Sequence, residues 1–179
     1  RLSSLPCESY RGSGCAWPEV VRLQPPSGGW IGLHQIQFID QAGDNVRSPP
    51  IYFSQRTSAP SGSLAYVLPT FTFHAYTTEG GQSLYPSDLT EPVAVSLARP
   101  MRPSPNNAIE RHVPVLQLLD SEGIEPILMD SEDLHQGLLL SETGLRAVVL
   151  SIHDEYWTGE MKESLERFVR GGGNLLIIG

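Results

Sequence analysis

Two short stretches carry most of the side chains capable of chemistry. One is Thr70-Phe71-Thr72-Phe73-His74-Ala75-Tyr76, continuing to Gly80-Gly81-Gln82-Ser83-Leu84-Tyr85. The other is His153-Asp154-Glu155-Tyr156-Trp157. Together they offer imidazoles, carboxylates and phenols, the groups that transfer protons and hold cations. Each also has a plainer reading. A tyrosine-rich segment after a strand can be a packed loop. A His-Asp-Glu run can be a polar helix entrance, where the helix dipole favours carboxylates.

Both stretches follow expected strands, which places them at one rim of a sheet. Ala147-Val148-Val149-Leu150-Ser151-Ile152 is an apolar run suited to a strand buried on both faces, and central in a parallel sheet. Thr158 can cap a helix whose Met161, Leu165, Phe168 and Val169 recur at helical spacing. Gly171-Gly172-Gly173 ends it, and Asn174 to Ile178 reads as the next strand. Strand, helix, strand implies parallel pairing with a crossover. Upstream, Leu64 to Leu68 forms a first buried strand stopped by Pro69. Val93 to Leu97 is an expected edge strand. Pro114 opens a helix carrying Val115, Leu118, Leu119 and Glu122, which Gly123 closes. Glu125 to Met129 is a further strand, and a short helix within Ser131 to Thr143 carries Leu138 to Leu140. The fold class is therefore α/β, a mainly parallel sheet of about four strands with flanking helices. Ligands of such sheets sit beyond the carboxyl ends of the strands, which is where both reactive stretches fall.

Residues 1–60 read differently, as a partial β-sandwich-like segment and linker preceding an α/β domain at 61–179. Gly32 to Asp40 and Val46 to Phe53 form a hairpin around the turn cluster Gln41 to Asn45. Trp17 to Leu23 is a weaker strand, and Thr57 to Gly62 has linker composition. A start at Arg1 and a stop at Gly179 directly after a strand suggest a piece of a longer protein.

Composition removes several classes of function. Twenty acidic residues against 12 basic ones give a formal charge of -8, which argues against nucleic acid or an anionic membrane surface as partner. No apolar run has the length of a membrane span and no signal sequence opens the chain, so a cytoplasmic location is expected. Cys7 and Cys15 could form a small disulfide loop or stay reduced, and no histidine lies near them to complete a metal site. No Gly-x-Ser-x-Gly elbow follows a strand, and the triple glycine precedes a strand instead of opening a helix. The reactive-serine reading is therefore weak, and no dinucleotide fingerprint is present. With no cysteine after position 15, a cysteine-dependent amidotransferase reaction is excluded within these residues.

Leu68-Pro69-Thr70-Phe71-Thr72-Phe73-His74-Ala75-Tyr76, Gly80-Gly81-x-Ser83-Leu84-Tyr85, Arg99-Pro100, His153-Asp154-Glu155-Tyr156-Trp157 and Gly172-Gly173-Asn174-Leu175 resemble the C-terminal domain of the N,N-dimethylformamidase large (beta) subunit. The resemblance covers roughly residues 64–179 and is most specific over His153 to Trp157. It implies a class I glutamine amidotransferase-like fold without the cysteine mechanism, hydrolysis of a small amide, and a mononuclear iron held by two tyrosines and a glutamate. Carried onto this chain, it makes Glu155 the carboxylate ligand, Tyr76 one tyrosine ligand, Tyr85 the candidate for the second, and His153 the acid/base group. It also implies a small partner subunit and a homo-oligomer. The chain departs from the family at Met101, where tyrosine often follows Arg-Pro, and at His112-Val113-Pro114, where aromatic and acidic residues are common. Phenolates with a carboxylate make a hard, anionic site suited to Fe(III) acting as a Lewis acid. The competing reading is a non-catalytic amidotransferase-like module that binds a ligand or a subunit.

Overall fold

The computed structural model describes residues 22, 24, 33–36, 39–44, 51–54, 63–77, 83–84, 94–97, 109–142 and 144–179. Of the expected strand at Trp17 to Leu23 only Arg22 is among them, and both cysteines, Tyr85 and Met101 lie outside. Strands β1 (Leu33–Ile36) and β2 (Ile51–Ser54) pair antiparallel, with Leu33 opposite Ser54 and Ile36 opposite Ile51. This pairing lies within the expected hairpin. Its turn begins at Asp40, whose carboxylate accepts the backbone N–H groups of Ala42 (2.9 Å) and Asp44 (3.0 Å). Gly43 supplies the positive φ the turn needs, +86°.

The larger sheet contains β3 (Ser63–Leu68), β4 (Ile127–Asp130), β5 (Leu145–Ser151) and β6 (Asn174–Ile178), in the spatial order β4-β3-β5-β6. All three pairings are parallel. The strand expected to be central, β5, lies between β3 and β6. Parallel strands are ordinarily covered on both faces, and the burial of β3, β4 and β5 divides accordingly, whereas β6 is exposed along its length. Val67, Met129, Val148 and Leu150 point to one face, against Leu134, Leu139 and Met161 of the helices. Tyr66, Leu68, Leu128 and Val149 point to the other, against Val115, Leu116 and Leu119, with Ile109 and Leu33 at its margin. Each such apolar side chain contributes about 1.5–3 kcal/mol when fully buried.

Among the described residues, five helices flank the sheet: α1 (Thr70–Tyr76), α2 (Val113–Ser121), α3 (Ser131–His135), α4 (Leu138–Ser141) and α5 (Gly159–Arg170). A 3-10 turn, Ile109–His112, leads into α2, which carries its proline in the first turn and stops at Gly123 with φ +70°. The single short helix expected within 131–143 is two. Asp130 starts α3 with a capping box, and Gly137 at φ +73° separates it from α4. Thr158 caps α5 as its position suggests, accepting from the N–H of Met161 at 3.2 Å. Met161 is buried, and Leu165 and Phe168 pack on the same cluster, while Val169 turns outward. At the far end of α5, Gly172 adopts φ +94°, and a side chain on Gly173 would meet the Phe168 ring.

One expectation fails, and the segment whose plainer reading was a packed loop takes a different form. Ala94 to Leu97 forms no strand, so the edge strand is absent from the described part of 93–97. Thr70 to Tyr76 is helical, although its β-branched and aromatic residues favour extended chain. Burial overrides that preference: Thr72, Phe73, His74 and Ala75 are all buried at the end of the sheet. Among the described residues no helix is long and apolar enough to cross a membrane.

Candidate functional site

Counting from β3, the four strands run second, first, third, fourth across the sheet. The chain therefore leaves the first strand in one direction and the third in the other, and the crevice between their carboxyl ends is a topological switch point, where doubly wound sheets bind ligands. Here β3 and β5 are hydrogen-bonded neighbours, Val67 opposite Leu150. Helix α1 follows β3 after Pro69, and residues 152–158 follow β5. The two reactive stretches of the sequence thus meet at this crevice.

The contact is direct. Tyr76, the last residue of α1, donates its phenol hydrogen to Glu155 Oε2 at 2.6 Å. His153 Nε2 lies 3.1 Å from the same carboxylate oxygen and 3.4 Å from the phenol oxygen. The Tyr76 and His153 rings meet edge to face with centroids 5.2 Å apart, and Tyr156 approaches the other side of Tyr76 at 6.2 Å. The histidine and glutamate side chains keep 36% and 41% of their surface exposed, so the cluster opens to solvent.

The loop that presents His153 is bent. Ile152 and His153 both have φ of +55°. A β-branched residue there is a genuine outlier, with a cost on the order of 1–3 kcal/mol, and such strain persists only when surrounding contacts fix it. Several do. The Ile152 N–H still bonds the Ile178 carbonyl, at 2.8 Å, so the β5–β6 ladder extends through the bend. The Thr72 hydroxyl oxygen accepts the N–H groups of Glu155 and Tyr156, at 3.0 and 3.1 Å. Trp157 Nε1 closes the loop on the Asp154 carbonyl at 3.0 Å. Asp154 points inward between the two exposed functional residues. Burial pushes its carboxyl up to about 6, against the opposing pull of His153, and both carboxylate oxygens are buried without a hydrogen-bond partner.

Beneath the rim lies a second polar pair absent from the sequence reading. Tyr66 of β3 and His112 share a buried hydrogen bond, 2.9 Å from hydroxyl to Nδ1. Phe73 of α1 packs edge-on against the same imidazole at 5.7 Å. Burial, with a smaller contribution from the Arg111 charge, lowers His112 to about 4, so the ring is neutral at pH 7. Burial raises the Tyr66 phenol, and the nearby Ser151 side chain opposes that rise. Both residues stood in view in the sequence, but nothing in their spacing joined residue 66 to residue 112.

Three donor atoms of unlike chemistry, a phenol, a carboxylate and an imidazole, therefore converge with separations of 2.6, 3.1 and 3.4 Å. A small cation binding at about 2.0–2.1 Å separates adjacent ligand atoms by about 2.8–3.3 Å. The Tyr76 and Glu155 oxygens fit two adjacent positions of such a cation with small side-chain adjustments, and His153 Nε2 lies beside them. Among the described residues, no three His, Cys, Asp or Glu side chains gather as a metal site, so the fit rests on Tyr76 and Glu155. Tyr85 is outside the described residues. Its neighbour Leu84 donates to the Ala75 carbonyl at 2.7 Å, one residue from Tyr76 along α1.

A cleft of about 360 Å³ lined by Arg146, Arg167 and Gly171 to Gly173 lies at the opposite, amino-terminal end of the strands. Its glycine N–H groups all bond carbonyls of α5, and the negative end of that helix dipole faces it, so it is not made for an anion.

A family model described as N,N-dimethylformamidase beta subunit-like, C-terminal, matches residues 5–179. The match extends well upstream of the 64–179 stretch that carries the motif resemblance. No curated protein matches the chain.

Proposed function

The chain belongs to the N,N-dimethylformamidase beta subunit-like C-terminal family, and from that membership we propose that it hydrolyses a small amide at the Tyr76–His153–Glu155 cluster. The observation that carries this reading is the convergence of those three side chains, from segments 77 and 79 residues apart, at the switch point of the sheet. The strand order and two-sided helical cover also support a class I glutamine amidotransferase-like fold.

Tyr76 and Glu155 would hold an iron ion between phenol and carboxylate oxygens, with a second tyrosine, Tyr85, as the candidate further ligand. Bound there, ferric iron would supply Lewis acidity toward an amide carbonyl. The remaining chemistry belongs to the protein. His153 Nε2 faces the same point as the phenol and carboxylate oxygens, so it can take a proton from an attacking water. It then returns that proton to the amine nitrogen as the C–N bond breaks, leaving a carboxylic acid and an amine. Glu155 orients the imidazole through Oε2. In the metal-free protein Tyr76 fixes the rotamer of Glu155. Exposure of the cluster leaves an approach for the substrate. The beta subunit-like description supports a partner subunit as part of the working assembly.

The test is metal analysis and amide hydrolysis by the intact protein. Iron near one ion per chain with hydrolysis of N,N-dimethylformamide or a related small amide supports the proposal. A folded, metal-free protein that hydrolyses none of them supports the binding-module reading instead. His153→Ala separates the roles within the site. It should retain iron and lose about 10²- to 10⁴-fold in turnover, the usual share of general acid–base catalysis.

A further inference from the structure

Resting on the reading of Tyr76 and Glu155 as the cation-holding pair, we propose that Thr72 is the positioning residue that sets Glu155 in place. Thr72 is wholly buried in α1, one helical turn before Tyr76, so both side chains leave the same side of the helix. Its hydroxyl oxygen accepts two successive backbone N–H groups, those of Glu155 and Tyr156. Glu155 is thereby held twice by one helix: its backbone by Thr72 and its carboxylate by Tyr76.

Two features make this hold consequential. The 152–158 loop starts with two residues at φ +55°, a conformation that relaxes unless neighbouring contacts over-determine it. Helix α1 is itself tied down on its other flank: the Phe71 N–H donates to Ser131 Oγ at 3.2 Å, and the Ser131 N–H to Thr70 Oγ1 at 3.3 Å. The loop is thus referenced through Thr72 to the ends of three adjacent strands. A hydroxyl is required because, at a wholly buried position, it can accept two amide hydrogens. Valine matches threonine in shape and accepts neither. Glu155 would then keep its Tyr76 partner but lose its fixed backbone position.

The experiment compares Thr72→Val, Thr72→Cys and Thr72→Ser in the intact protein, with Glu155→Gln and Leu139→Ala as references. The readouts are iron affinity in competition with a chelator, the visible phenolate-to-iron absorption band, and melting of the metal-free protein. Thr72→Val should lose about 10- to 100-fold in iron affinity, the range set by partners that orient a ligand, with a weakened or displaced band. Thr72→Ser, which keeps the two-bond acceptor, should restore both. Should Thr72→Val fail to fold, Thr72→Cys tests the same point with a weak sulfur acceptor, and should fall below Thr72→Ser in affinity. Leu139→Ala removes core packing in α4, away from the loop, and should lower the melting temperature with iron affinity unchanged. Iron lost in Glu155→Gln yet bound at full affinity by folded Thr72→Val, or equally by Thr72→Cys and Thr72→Ser, overturns the role of Thr72 alone. A wild-type protein that binds no iron overturns the site reading and this proposal with it.

Discussion

Glu155→Gln separates the chemical role of the cluster from its structural one, because the structure assigns the two very different magnitudes. Glu155 and His153 are each more than a third exposed. An ion pair of that exposure contributes about 0.2–1 kcal/mol. The 2.6 Å bond from Tyr76 survives the substitution, since the amide oxygen can accept the same hydrogen, although a neutral acceptor holds it about half as strongly. Backbone anchoring by Thr72 is untouched. The metal-free variant should therefore lose about 1 kcal/mol or less, a fall of roughly 2–4 °C in Tm for a chain of this size. The effect on a cation should be far larger. One negative charge leaves the site, and an amide oxygen is a poor donor to a hard ion. Iron affinity should fall by more than about 100-fold, beyond what loss of an orienting partner alone produces, and turnover with it. Calorimetry of the metal-free protein, iron per chain and amide hydrolysis read the three quantities. Full iron and full turnover in Glu155→Gln would refute the assignment of this carboxylate. A large loss of stability with iron retained would show that Glu155 serves the loop and not the site.

Acidification should destabilise the protein through His112, whose folded pKa of about 4 lies below its ordinary 6.5. A histidine depressed on folding contributes stability above pH 6.5 that is lost as pH falls toward 4. That interval corresponds to about 3 kcal/mol at roughly 1.4 kcal/mol per unit. Asp154, raised to about 6, contributes in the opposite direction over the same interval, so the stability difference between wild type and His112→Gln in urea at pH 7, 5.5 and 4 should isolate the loss; a difference that does not change with pH would place the effect elsewhere. Thr158→Ala removes the α5 cap and a 3.0 Å contact with His135 Nδ1, and should cost about 1 kcal/mol, measured by the shift in urea midpoint at constant m. His153→Ala, tested by iron content and turnover together, should leave the first unchanged and depress the second.

Local chemistry was enough to read much of this fold. The apolar run at 147–152 demanded cover on both faces and became the central strand β5. Thr158 and the glycines after Arg170 bounded α5 because caps act within one turn of chain. Pro114 and Gly123 bounded α2 for the same reason, and the turn at Asp40 to Asp44 followed from residues that bond their own backbone. That Tyr76 and Glu155 share one rim was expected from their places after two strands and from the family resemblance. What the sequence left open depended on partners remote along the chain. Thr70 to Tyr76 is helical against the preference of its own residues, because the sheet end buries four of them. Ala94 to Leu97 had the composition of an edge strand, but composition does not supply a neighbouring strand to pair with. Ile152 and His153 bend into a conformation that neither side chain favours, since Thr72 and Ile178 hold the loop from either side. The Tyr66–His112 bond, the inward turn of Asp154 and the double hold on Glu155 each join residues that spacing cannot relate. Periodicity and capping report interactions within a few residues, whereas hydrogen bonds across the sheet end exist only once the strands have fixed which distant segments share that edge.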